Sequence, residues 1–132
     1  MVVVWEGPDA ASTGIFAQRL TAAGALSGPE LQLPADPTGQ QRRPDVGLQP
    51  NDQFVACWEH RPTVFADIAC RRFSALGVPL GSETLVNANL VAEQNLPVVD
   101  VAVTGNFVVA WQSSASQDGD GVGVFMRRLN AA

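Results

Sequence analysis

Asp118-Gly119-Asp120-Gly121 is the sharpest local motif in the chain. Alternating Asp and Gly in a loop can turn carboxylates and carbonyls toward a calcium ion. No Glu closes the far end of the pattern, and Asp-Gly is also what a hairpin turn needs. A turn is the expectation, with calcium at Asp118 and Asp120 the weaker one and no other cofactor. His60, Arg61 and Asp67 bracket a second loop. They form a faint acid–base set and, with Asp118 and Asp120, the candidate ligand contacts. His60 is the sole histidine, so one chain cannot build a two-histidine metal site, and any Ser–His–Asp triad must use it. Cys57 and Cys70 lack CxxC spacing, which argues against a redox or zinc motif.

Trp5, Trp58 and Trp111 could stack on sugars, but their setting inside apolar runs makes them core. Glu6, Glu59 and Gln112 follow them directly, and Arg19, Arg72 and Arg128 recur further on. A ring of arginines could hold an acidic ligand. The structural alternative is expected: a hydrogen bond from Glu or Gln to Arg between facing strands, repeated because the scaffold repeats.

Both gaps between the tryptophans are 53 residues. Phe54 and Phe107, Pro44 and Pro97, Val46 and Val99, and Gly24 and Gly77 keep the same step. Arg19 and Arg72 lie 14 residues after their tryptophans and Arg128 lies 17 after its own, so the third repeat has a three-residue insertion before it. The units are 1–53, 54–106 and 107–132 of a single repeat domain. Each opens on an apolar strand ending in Trp and returns through a second strand over 14–20, 66–73 or 122–129. Gly24 and Gly77 mark turns. A third strand follows near 30–33 and 83–87, and a linker leads to a fourth at 44–48 and 97–103. Pairing Phe54 with Phe73 gives an index sum of 127, which also sets Cys57 opposite Cys70. Either a cross-strand disulfide, fitting an oxidising compartment, or two buried thiols satisfies that pairing.

The 132 residues, 46% hydrophobic and 16% charged, suit one compact domain. The net charge is −5 and every basic residue is Arg, so nucleic acid is not an expected partner. No apolar run approaches the ~18 residues of a membrane helix, and 1–6 does not read as a signal peptide. No helical period is sustained anywhere. The fold expected is all-β: a β-propeller-like array of about 2.5 four-stranded blades, since four strands per ~50-residue unit is a blade signature. A β-trefoil is the alternative. Two and a half blades leave open faces, so closure by oligomerisation, most simply a homodimer, is expected. The chain begins and ends inside a unit, which fits a complete small gene product or a piece of a longer array.

The runs 107–114 and 119–130, and most closely Ile15-Phe16-Ala17-Gln18-Arg19-Leu20, resemble tandem repeats of large bacterial surface and secreted proteins. The resemblance covers nearly the whole chain and implies an extracellular or cell-surface setting. It assigns no catalytic residue. The expectation is therefore a non-enzymatic binding or adhesion module for a glycan or a protein. The alternatives are a structural repeat segment with no ligand, or a glycan hydrolase using Asp67, Asp118 and Asp120.

Overall fold

The computed structural model describes residues 1–114 and 119–131. These fold into ten strands with no helix among them. In order they are β1 (Val2–Pro8), β2 (Thr13–Arg19), β3 (Leu31–Gln32), β4 (Gln40–Leu48), β5 (Phe54–Arg61), β6 (Asp67–Phe73), β7 (Thr84–Leu85), β8 (Gln94–Val101), β9 (Phe107–Ser113) and β10 (Gly123–Leu129).

The strands form three antiparallel layers: β1-β2-β3, β4-β5-β6-β7 and β8-β9-β10. A single parallel bridge, Thr13 to Gln40, makes the first two layers one seven-stranded sheet, while the third is a separate three-stranded sheet. The layers stack face to face, and neither sheet closes into the barrel that a trefoil requires. Strand order and hairpin registers follow the expectation. Phe54 faces Phe73, Cys57 faces Cys70, and the counterparts Val4–Ala17 and Ala110–Met126 are aligned likewise. Cys57 and Cys70 are joined by a disulfide with Cα atoms 4.1 Å apart.

The strands expected to open at Pro44 and Pro97 start earlier, at Gln40 and Gln94. Proline removes a ladder donor, which marks it as a strand end. Here each ladder passes its proline through a bulge, between Arg42 and Asp45 and between Asn95 and Val98. Arg43 (φ 49) and Leu96 (φ 54) take the left-handed conformation at these points. The extra residue absorbs the missing bond and lets pairing continue.

Alternation along β5 divides the interior in two. Phe54, Ala56 and Trp58 pack with Ile15, Ala17 and Leu33 of layer 1. Val55 and Cys57 turn the other way and pack with Phe107, Val109 and Trp111 of layer 3. The middle layer is covered on both faces and supplies five of the eight buried residues of each cluster.

Polar contacts between layers repeat as the sequence does. The Glu6 carboxylate accepts the Arg43 backbone N–H (3.2 Å), and Glu59 accepts that of Leu96 (2.9 Å). Both donors sit at bulges, where the ladder leaves an N–H unpaired. Arg71 donates to the Leu33 carbonyl (3.1 Å), and Arg127 to the Val86 carbonyl (2.8 Å). Arg19 donates to the Ala75 carbonyl (2.8 Å). This corrects the expected Glu–Arg pairs between facing strands. Glu6 lies opposite Ile15 and Arg19 opposite Val2, at the two ends of one hairpin. Glu6, Glu59 and Arg19 bind the backbone of an adjacent layer instead. The Gly77 turn (φ +80) also approaches layer 1: a Cβ there would lie 2.4 Å from Leu31 Cδ1.

Candidate functional site

The residues singled out for chemistry lie at one end of the strands. His60 and Asp67 are register partners where the β5–β6 hairpin opens into its loop. Asp67 accepts a hydrogen bond from Asn87 Nδ2 at 2.7 Å. The same Asn87 accepts the Ile68 backbone N–H at 2.7 Å, so the carboxylate holds an amide that anchors the start of β6. Arg61 pairs with Glu93 and donates to the Val64 carbonyl, bracing the loop against the linker into layer 3. His60 Nδ1 is buried without a partner. Asp120 lies in the corresponding loop of the third layer, and Asp118 falls outside the described residues. Among the described residues, no group of three or more His, Cys, Asp or Glu side chains is placed to hold a metal ion.

Near this end Glu59 is buried, with a side chain only 3% exposed, and pairs with Arg43 at 3.0 Å. The hydrogen bond from Arg43 to Glu59 and the carboxylate's charge raise the guanidinium's pKa. With the Leu96 N–H as a second donor, Glu59 is a joint between layers 2 and 3.

The opposite end carries a different arrangement. A cleft of about 430 Å³ opens where β6 and β7 meet β10, and Arg71, Arg72, Arg127 and Arg128 line it. Alternation explains the gathering. Arg72 shares the face of Ile68 and Cys70 and extends toward layer 3, where a Cβ added at Gly105 would lie 3.5 Å from its Nη2. Arg127 shares the face of Phe125 and Leu129 and extends back toward layer 2, reaching the Val86 carbonyl. Arg71 is fixed by the carbonyls of Gly81 and Leu33, both at 3.1 Å, and lies 5.8 Å from the Phe73 ring centre.

The lining contains no Asp or Glu; Ser82, Thr84 and Asn130 supply neutral polar groups. Among the described residues the ion pairs are Arg43–Glu59 and Arg61–Glu93, so no cleft arginine is neutralised by one. Four of the chain's eight arginines border this cleft in a protein of net charge −5. Arg72 and Arg127 turn into it, whereas Arg71 turns to the Leu33 carbonyl of layer 1 and Arg128 also borders Asp100 and Val108 on the outer face of layer 3. Planar guanidinium groups in such a cleft suit bidentate contact with carboxylate or sulfate oxygens. The sequence offers Arg72 and Arg128 within a possible ring of arginines for an acidic ligand, but not the approach of Arg72 to Arg127, because two strands from different repeats build the site. The available signal is the pair of doublets Arg71–Arg72 and Arg127–Arg128 at equivalent positions once the three-residue insertion is counted.

No family model matches the chain, and no curated protein matches it. Among solved structures it is similar to the crystal structure of a thermostable family-43 glycoside hydrolase, at 16% identity and a TM-score of 0.45. The match covers 89% of this chain and 44% of that one, so the chain spans less than half of that enzyme's length. This match corrects the expectation of a non-enzymatic chain: the similar structure is that of an enzyme, and the exclusion of catalysis is withdrawn. At this similarity it assigns no residue a role.

Proposed function

We propose that the chain is a propeller-type repeat scaffold that binds a glycan carrying carboxylate or sulfate groups in its arginine cleft. The three layers, of three, four and three strands, correspond to about two and a half four-stranded blades. The observation that carries the binding reading is the meeting of Arg72 from layer 2 and Arg127 from layer 3 in a cleft lined by no carboxylate. Arg71 and Arg127 use part of their donor capacity on backbone carbonyls, which fixes their planes. Arg72 is the arm that closes on the anion. Leu80, Leu129 and the neutral polar groups offer a sugar ring both apolar and hydrogen-bonding surface.

Calorimetric titration tests this with an oligogalacturonide and a neutral oligosaccharide of equal length. The acidic ligand is expected to bind and the neutral one not, with affinity falling as salt screens the charges. Arg72→Gln weakens binding at least tenfold without loss of the fold, since this side chain makes no hydrogen bond among the described residues. Arg42→Gln, outside the cleft, leaves it unchanged. Equal binding of both ligands, or indifference to the Arg72 substitution, overturns the reading.

A further inference from the structure

The chain makes one kind of interface twice. In the first instance Val2, Val4, Ile15 and Ala17 of layer 1 meet Phe54, Ala56, Trp58 and Phe73 of layer 2. In the second, Val55, Cys57, Ile68 and Cys70 of layer 2 meet Phe107, Val109, Trp111 and Phe125 of layer 3. Through the repeat, Val55, Cys57, Ile68 and Cys70 correspond to Val2, Val4, Ile15 and Ala17. Trp111 and Phe125 correspond to Trp58 and Ala69. Every interface therefore joins a small-residue face of one layer to the Trp face of the next.

Each end of the stack presents one half of that interface with nothing on it. The outward residues of layer 3 are Val108, Ala110, Val124 and Met126, the next members of the small-residue series. Val124 is 79% and Met126 69% exposed. The outward residues of layer 1 are Val3, Trp5 and Phe16, the members of the Trp series. Trp5 and Phe16 are stacked with ring centres 6.3 Å apart, as Trp111 and Phe125 are. Trp58 is 0% and Trp111 7% exposed under the layer preceding each, whereas no layer of this chain covers Trp5.

We infer that a second copy of this chain docks head to tail, its Trp5 face seated on the Val108–Val124–Met126 face of the first. The two faces are complementary rather than self-complementary, so the contact is heterologous and closes only if the stack curves into a ring. Two copies supply six layers, each in the place of one blade and within the range in which propellers close, whereas three would supply nine. The docking rests on the repeated interface alone. The closed pair rests also on the propeller reading.

Light scattering after size-exclusion chromatography, on the wild-type chain and two variants, tests this. Val3→Glu charges the Trp5 face and Met126→Glu the opposite face. Both residues are exposed in the single chain, so circular dichroism and the unfolding midpoint should stay close to wild type. The expected result is a wild-type species at twice 13.9 kDa. Each variant alone shifts toward monomer, and an equimolar mixture of the two recovers a one-to-one pair through the one intact contact. A wild-type monomer at high micromolar concentration overturns the docking. So does a pair that only one of the substitutions disrupts, which marks a self-complementary face. Growth into open oligomers preserves the docking pattern but overturns the closed pair and the propeller reading with it.

Discussion

Trp58 and Trp5 stand at the same place in successive repeats, on strands of the same sequence character, yet only Trp58 has a layer across from it. The middle layer is an interior and layer 1 is an end, although one pattern specifies both. Repetition therefore sets which residues point outward and which pair across a hairpin. Position in the stack decides which of those residues contribute to the stability of a single chain. The same contrast holds for Cys57 and Cys70, covered by layer 3, against Ala110 and Met126, their counterparts facing outward.

The largest expected difference comes from the tryptophans. Trp58→Ala removes a fully buried side chain from a cluster that includes Phe54 and Phe73, stacked with ring centres 4.9 Å apart. A loss of about 3–5 kcal/mol is expected in urea unfolding in the Met126→Glu background, which is expected to be monomeric, typical of an aromatic deleted from a packed core. Trp5→Ala in the same background should cost about 1 kcal/mol, close to an ordinary surface substitution. Equal costs would break the distinction between interior and end.

The disulfide comes next. It closes a loop of 13 residues' separation within the layer that already has cover on both faces. Replacing both cysteines with alanine should lower stability by about 3 kcal/mol, the magnitude for constraining a loop of that length in the unfolded chain. Its absence in layers 1 and 3 fits the comparison. A change below about 1 kcal/mol would mean that packing alone fixes the middle layer.

Much of this was legible in the residues themselves. The 53-residue step located every hairpin, and an index sum gave a register that holds across three repeats. Periodicity of this kind survives because alternation is enforced by burial, and burial repeats with the layers. The bulges were not legible, since Pro44 and Pro97 look locally like strand starts and only the partner strand shows the extra residue. The loop residues His60, Arg61 and Asp67 were chosen by type. The structure commits Asp67 and Arg61 to holding Asn87 and Glu93. The arginine cleft was legible only in part: recurrence puts Arg72 in a possible ring for an acidic ligand, but not its neighbour Arg127. Its members belong to two repeats and converge only once layer 3 is laid on layer 2.

The smallest expected effect separates layers 2 and 3 at a single hydrogen bond. Trp111 Nε1 donates to Gln94 Oε1 at 2.9 Å in the buried interior. The counterparts, Trp58 Nε1 and Gln41 Oε1, are both buried and both without partners. The two glutamines otherwise serve alike. Gln41 Nε2 donates to the carbonyls of Thr38 and Asp36, and Gln94 Nε2 to those of Asn89 and Ala92. Replacing either by leucine forfeits those linker contacts, so their cost cancels in a comparison. What remains is the indole. Gln94→Leu strands a donor that had an acceptor, whereas Gln41→Leu strands none. Gln94→Leu should therefore cost about 1 kcal/mol more than Gln41→Leu, the net worth of one such bond. Thermal unfolding of the two variants side by side measures the difference. Equal costs would mean that layer 2 closes the same indole bond in solution, making the two repeats alike where the structure sets them apart.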